Sequence, residues 1–142
     1  MRLRTTILLL VMALAFASVA VSADVTVKKA PVSPTSPASG PKMFTTYCAV
    51  CHGMDAKGHG PAAPALKTPP ADLTTLSIRN NGKYPELKVY STIHGDLEMP
   101  SHGSRDMPIW GALFQSMSAG NQPEVQLRIS NLTKYVESVQ QK

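Results

Sequence analysis

The sequence has few aromatic residues. Only three Phe, four Tyr and one Trp occur among its 142 residues. A small domain with so few large side chains gains limited stability from side-chain burial alone. We therefore expect a component other than side chains to fill part of the interior.

Two further patterns are absent from the sequence. No run of β-branched residues alternates with polar residues between turn signals, which argues against a sheet domain. No basic run is interleaved with aromatic residues, which argues against nucleic acid as a partner. From residue 41 onward, ten Lys and Arg are balanced by eight Asp and Glu. Strong electrostatic steering of a partner is therefore not expected.

The first 23 residues have the layout of a secretory signal peptide. Arg2 and Arg4 precede an apolar run from Ile7 to Ala17, and small residues then lead to a cleavage site predicted near Ala23. The run is shorter than the roughly 20 residues of a membrane-spanning helix. We expect an exported chain with no membrane span after cleavage; an uncleaved anchor is the alternative. Removal of two arginines lowers the net charge from +5 to +3.

Residues 24–40 have the composition of a linker. Pro31, Pro34 and Pro37 lie among Ser, Thr, Ala and Val without apolar periodicity. The predicted organisation is therefore a signal peptide at 1–23, a Pro/Ser-rich linker at 24–40 and one folded domain at 41–142.

Four helices are predicted in that domain, so the expected fold class is all-α. They cover about residues 41–51, 85–94, 108–119 and 123–140, with Pro at helix starts and Gly just past helix ends. Apolar residues in the last helix repeat at spacings of four and three and form one stripe. A loop rich in Pro and Gly, residues 53–83, separates the first two helices. Loops of this length are usually functional.

Both cysteines lie in one short motif, YCAVCHG. On a helix Cys48, Cys51 and His52 share one face, because they are three and four positions apart. Two thiols can add to the two vinyl groups of a porphyrin, and the adjacent imidazole can bind its iron. The pattern Cys-X-X-Cys-His is the haem-attachment motif of c-type cytochromes, which predicts one covalent haem c.

Three other uses of the motif compete with haem attachment. A disulfide between Cys48 and Cys51 would close too short a loop to constrain much of the chain. A thioredoxin-like redox pair needs a βαβ context that the sequence does not show. A structural zinc site needs four ligands, and no second Cys or His pair is evident at ligand spacing.

From Gly40 to Gln140 the chain resembles the small class I cytochromes c of bacterial periplasms. Gly40 and Phe44 match the Gly-x-x-x-aromatic pattern of that family, and Leu132 and Tyr135 match its terminal-helix pattern. The resemblance implies a small cytochrome c fold in which the N- and C-terminal helices cross at these four residues. Loops and two shorter helices would then enclose the haem.

The resemblance also implies a partner for the His52 imidazole. Pro64-Ala65-Leu66 is similar to the family segment whose proline carbonyl accepts a hydrogen bond from the iron-binding imidazole. Such a bond orients the ring and raises its basicity. Pro61 remains an alternative to Pro64.

The resemblance further places the sixth iron ligand in Met107-Pro108-Ile109-Trp110-Gly111, which is similar to the family's Met-Pro-x-aromatic-Gly motif. Met107 is the predicted ligand, because its sulfur is soft and the following proline stiffens the loop. Met99 is a weaker alternative. His94, His102 or an open position are the others.

Ligation of iron by His52 and Met107 leaves no position for a substrate, so electron transfer is expected rather than catalysis. We predict a periplasmic mono-haem carrier of single electrons, not an enzyme, that acts as a monomer with transient redox partners. Two alternatives remain open. One is a sensor or small-ligand enzyme with an open sixth position, and the other is an electron-transfer subunit of a larger respiratory or dehydrogenase complex.

Overall fold

The computed structural model describes residues 34–96 and 107–141. The predicted signal peptide, most of the predicted linker, and the alternative ligands Met99 and His102 lie outside these residues. All regular secondary structure within the described ranges is helical, which confirms the all-α class. None of the helices in those ranges is long and apolar enough to cross a membrane.

The first helix, α1, contains a π turn that the sequence did not predict. It runs through Gly40–Met43, the π segment Phe44–Cys48 and Ala49–His52. The Ser39 side chain caps its start by accepting from the Lys42 N–H at 3.3 Å. The Thr45 hydroxyl donates to the Pro41 carbonyl at 2.9 Å. Since this hydroxyl competes with the backbone for an i−4 carbonyl, it favours the local widening of the helix.

The other three helices lie within about two residues of their predicted bounds. They are α2 (Glu86–His94), α3 (Trp110–Met117) and α4 (Gln122–Ser138). Gly95 ends α2 with a φ of 96°, a left-handed conformation that favours glycine. The Asn121 side chain caps the start of α4 by accepting from the Glu124 N–H.

Helices α1 and α4 cross at the residues that the resemblance indicated. A Cβ added to Gly40 would lie 2.3 Å from the Asn131 carbonyl oxygen, so only glycine permits this approach. The rings of Phe44 and Tyr135 pack with centroids 5.0 Å apart. The buried side chains at and around this contact are Met43, Phe44, Val125, Ile129, Leu132 and Val136. The predicted crossing of terminal helices is confirmed.

The two shorter helices pack against each other and against α4. α2 and α3 approach so closely that a Cβ at Gly111 would lie 2.3 Å from the His94 carbonyl oxygen. Glycine at this position therefore permits the contact. On α3, Trp110 and Phe114 are buried and pack at tilted angles against the Tyr47 ring, at centroid distances of 5.4 and 5.8 Å. This aromatic group joins α3 to α1 directly ahead of the cysteine motif.

Residues that precede position 41 also contact the helices. Arg128 Nη1 donates to the Thr35 carbonyl at 2.8 Å, and the Asn131 amide donates to the Pro37 carbonyl at 2.9 Å. The Thr35 N–H and hydroxyl both bond the Tyr47 hydroxyl, at 3.0 and 2.9 Å. Residues 35–39 therefore lie across α1 and α4.

Candidate functional site

The three residues of the cysteine motif lie at the end of α1. Cys48 is the last residue of the π turn, and Cys51 and His52 belong to the α-helical segment that follows. All three side chains are partly buried. Neither thiol is joined in a disulfide. The chain is helical from Cys48 to His52, and in a helix residues three and four positions apart lie on one face.

The fold raises the pKa of both thiols. Burial, with a smaller contribution from the Cys51 thiol, raises the pKa of Cys48 from 9.0 to about 12. Burial also raises the pKa of Cys51. A redox-active pair of the Cys-X-X-Cys type needs a lowered thiol pKa. The pair of cysteines thus lacks the electrostatic setting of a thioredoxin-like site.

The end of α1 is covered by the first part of the long loop. Its unsatisfied carbonyls accept three backbone hydrogen bonds, from Gly58 N to His52 O at 2.7 Å, from Gly60 N to Cys51 O at 2.9 Å and from Ala62 N to Val50 O at 2.8 Å. A Cβ at Gly60 would lie within 2.6 Å of the motif backbone. Sequence reasoning did not identify Gly58 or Gly60, although the pattern Gly-His-Gly-Pro marks a tight turn.

The His52 imidazole bonds a different carbonyl from the one expected. Its Nδ1–H donates to the Ala71 carbonyl at 3.1 Å. The prediction of Pro64 was wrong, and Pro61 is not the acceptor either. Both prolines are exposed, because residues 60–66 turn over the end of α1 and a 3₁₀ turn at Ala63–Ala65 directs the chain away.

The Ala71 carbonyl follows two consecutive prolines, Pro69 and Pro70, which restrict the backbone ahead of it. A backbone bond from Leu73 N to Ala56 O, at 2.8 Å, joins this segment to the turn after His52. A Cβ at Gly58 would lie 2.3 Å from the Pro70 carbonyl oxygen. The acceptor for His52 is thus set by close packing between two parts of the same loop.

The predicted distal residue, Met107, begins the segment that leads into α3. Its side chain is 37% exposed. Two residues on, Ile109 lies against Gly95, whose added Cβ would meet Ile109 Cγ2 at 2.4 Å. The Met107-Pro108 segment is therefore attached at its C-terminal side to the end of α2. The role of Met107 as an iron ligand stays a prediction.

His94, an alternative ligand, lies at the C-terminal end of α2 with its side chain 40% exposed. Its Nδ1 donates to Asp96 Oδ1 at 2.6 Å, and its ring stacks on Tyr90 with centroids 6.2 Å apart. These contacts orient the ring along the end of α2.

The described ranges contain no group of three or more His, Cys, Asp or Glu side chains arranged to hold a metal ion. The zinc alternative therefore gains no support from this part of the chain. The same ranges hold no strand to supply a βαβ unit around the cysteines.

Comparison with protein-family models finds a match. The model described as Cytochrome c matches residues 37–113, which is just over half of the chain. The matched range contains the cysteine motif, the Ala71 carbonyl and Met107. No curated protein matches the chain, and no solved structure matches it either.

Proposed function

This chain belongs to the cytochrome c family, and we propose that it is an exported mono-haem carrier that passes single electrons between redox partners. Cys48 and Cys51 hold the haem covalently, and His52 and Met107 bind its iron. The observation that carries this proposal is the end of α1, where two thiols and an imidazole lie together and a loop carbonyl orients the imidazole.

Family membership implies a covalently bound haem c, and the residues present fit that group. The two cysteines are available as thiols rather than paired with each other. Donation from Nδ1 to the Ala71 carbonyl puts the imidazole lone pair on Nε2, the nitrogen required for iron. When bound, the haem iron supplies one-electron oxidation and reduction.

His52 and Ala71 act together on the proximal side, the side of the iron-binding imidazole. The hydrogen bond between them fixes the ring plane and increases the basicity of the ring. A more basic ligand favours the oxidised iron and lowers the reduction potential. The loop carbonyl is therefore a means of adjusting potential without changing a ligand.

Met107 is proposed as the second ligand because its sequence context supports it. Pro108 limits the backbone next to it, and Trp110 and Gly111 are packed into the core two and three residues after Pro108. A ligand on a segment fixed in this way needs little further ordering. Ligation of the iron by Met107, opposite His52, would raise the reduction potential and exclude water and substrates from the iron.

A closed site with two protein ligands favours a carrier over an enzyme. The cytochrome c family assignment points in the same direction. Nearly balanced charge in residues 41–142 favours small, brief contacts with partners over strong association. We further propose export to the periplasm, with cleavage near Ala23, from the layout of the first 23 residues.

The proposal is tested on protein expressed in a periplasm that contains haem-attachment machinery. We expect the mass to increase by one haem, and we expect Cys48→Ser/Cys51→Ser to lose that increase. The oxidised protein should show a near-infrared sulfur-to-iron band. The spectrum of the reduced protein should not change when CO is added. Met107→Ala should lose the band and bind CO. Met54→Ala is the matched control, because Met54 is 70% exposed.

Three results would contradict the proposal in different ways. CO binding by the wild type would favour the sensor or small-ligand enzyme. If the chain gains no covalent haem, both the carrier function and the sensor function are excluded. Stable copurification with a partner would instead assign the chain to a larger electron-transfer complex.

A further inference from the structure

The last residues of the chain bond the loop segment that contains the His52 acceptor. After α4 ends, Gln140 Nε2 donates to the Leu73 carbonyl at 2.6 Å, and Gln140 Oε1 accepts from the Ser77 N–H at 2.9 Å. The same Nε2 also donates to the Val136 carbonyl at 2.7 Å. One carboxamide thus links the loop at two points to the end of α4.

Gln141 makes a second set of bonds to the same segment. Its backbone N–H donates to the Thr74 carbonyl at 2.8 Å, and its Nε2 donates to Thr74 Oγ1 at 2.8 Å. The Thr74 hydroxyl in turn donates to Asp72 Oδ1 at 2.6 Å. Thr74 is buried, so its end of these bonds is shielded from water, while Gln141 is exposed.

The residues that Gln140 and Gln141 contact follow Ala71 in the sequence, and the Ala71 carbonyl accepts the proximal hydrogen bond from His52 Nδ1–H. Ala71 directly precedes Asp72 and Leu73, both of which belong to the bonded segment. Across the loop, Leu73 N is also bonded to Ala56 O. In segment 71–77 only Thr74 is fully buried, and Leu73 packs partly buried against the core. The position of the segment therefore depends on hydrogen bonds as well as on packing.

We propose that Gln140, assisted by Gln141, is a positioning residue for the proximal hydrogen bond. By holding Leu73, Thr74 and Ser77 against the end of α4, the two glutamines keep the Ala71 carbonyl in place for His52 Nδ1–H. This inference rests on the proposed function, because the consequence for potential requires that His52 bind iron. The C-terminal end of the chain thereby affects redox behaviour without contacting the site.

The test compares Gln140→Met with Gln126→Met in the haem-loaded protein. Methionine matches glutamine in length and removes all three side-chain bonds of Gln140. Gln126 lies on α4 and is exposed, which makes it the matched control. Gln141→Ala removes one side-chain bond and should have an intermediate effect.

The first measurement is the exchange rate of the His52 Nδ1–H proton by NMR on the reduced protein. We expect exchange about tenfold faster or more in Gln140→Met, about fivefold faster in Gln141→Ala, and unchanged in Gln126→Met, because each net hydrogen bond contributes about 1 kcal/mol, or about fivefold. The second measurement is the reduction potential. A weaker proximal bond should raise it, with about a threefold change in the redox equilibrium, or about 30 mV at 59 mV per tenfold.

Equal exchange rates and equal potentials in Gln140→Met and Gln126→Met would overturn the inference. If Gln140→Met does not fold, wild-type native-state exchange decides. The Ser77 N–H and His52 Nδ1–H should then open with the same free energy, and independent opening would count against the proposal. The mass and optical spectrum of each variant are checked before the exchange and potential measurements. If covalent haem is absent, the proposed function fails, while the exchange comparison on the full unloaded chain still tests the positioning.

Discussion

The crossing of α1 with α4 and the long loop at residues 53–83 are held in place by different forces. At the crossing, large apolar side chains are buried against one another and Gly40 permits backbone contact. In the loop, Ala56 and Thr74 are the buried residues other than glycine, and the backbone is held by hydrogen bonds to α1 and to the C-terminal residues. Stability should therefore depend mainly on the crossing, and the setting of His52 mainly on the loop.

The largest effect is expected from Phe44→Ala at the crossing. Phe44 is fully buried and packs on Tyr135. Its removal should lower the free energy of unfolding by about 3–5 kcal/mol, through lost burial and the cavity left behind. Urea unfolding measures this change, with Thr46→Ala on the exposed face of α1 as control. A loss below about 1 kcal/mol would mean that the crossing is not the main source of stability.

Within the loop, Gly60→Ala should cost more than Gly82→Ala. A Cβ at Gly60 meets the backbone of Val50, Ala49 and Cys51, whereas a Cβ at Gly82 has nothing within 4 Å. We expect losses of about 1–3 kcal/mol from overpacking at Gly60. At Gly82, where φ is 81°, only about 1 kcal/mol of backbone strain is expected. Unfolding curves for the two variants make the comparison. Equal losses would show that contact with α1 does not restrict residue 60.

Two arginines allow the same comparison for charged side chains. The Arg128 side chain is 4% exposed, bonds Glu124 Oε1 through two nitrogens and also reaches the Thr35 carbonyl. Arg79 is exposed and bonds backbone carbonyls of the loop. Lysine cannot reproduce the planar, forked hydrogen bonds of the guanidinium group. Arg128→Lys should therefore lower the free energy of unfolding by about 1–2 kcal/mol.

Arg79→Lys should change stability by less than about 0.5 kcal/mol, since exposed contacts of this kind contribute little. Urea unfolding again supplies the measurement. Limited proteolysis provides a second one, because Arg128→Lys should also expose residues 35–39 to cleavage. Similar losses from the two lysine variants would contradict the assignment of residues 35–39 to the α1–α4 crossing.

The smallest effect is expected from the loop carboxylate Asp72. A hydrogen bond from the Thr74 side chain holds the pKa of Asp72 below its ordinary value of 3.8. A carboxyl with a lowered pKa stabilises the fold above its ordinary pKa, and that contribution is lost as pH falls through the lowered value.

Asp72→Asn keeps an acceptor oxygen and removes the charge. We expect it to reduce the loss of stability below about pH 4 by a few tenths of a kcal/mol, since Asp72 is largely solvated. Acid titration of the unfolding midpoint is the measurement, with Glu86→Gln as control. An unchanged acid profile in Asp72→Asn would mean that the Thr74 bond does not depend on the charge.

Sequence patterns were sufficient for the elements governed by local periodicity and capping. The stripe on α4, the glycine after α2 and the spacing of Cys48, Cys51 and His52 each depend on residues a few positions apart, and the structure confirms the helices they predicted. The crossing was also predicted, because Gly40 and Phe44 match the Gly-x-x-x-aromatic pattern of the family that the chain resembles.

Other features depended on residues far apart in the chain. The acceptor for His52 is 19 residues away and is a backbone carbonyl, a group that every residue possesses. Nothing in the side chain of Ala71 distinguishes it from Pro61 or Pro64. The Gln140 contacts span more than 60 residues, and a glutamine near the end of a chain has no sequence feature that marks it as bonded.

The sequence by itself determined the fold class, the helices and the residue types that can hold a haem, because helix periodicity and the Cys-X-X-Cys-His spacing are local properties of the chain. Only the tertiary structure decided which carbonyl meets His52 and what keeps it there. Backbone carbonyls are chemically alike, so the choice among them follows from how the loop packs against α1 and the last residues of the chain.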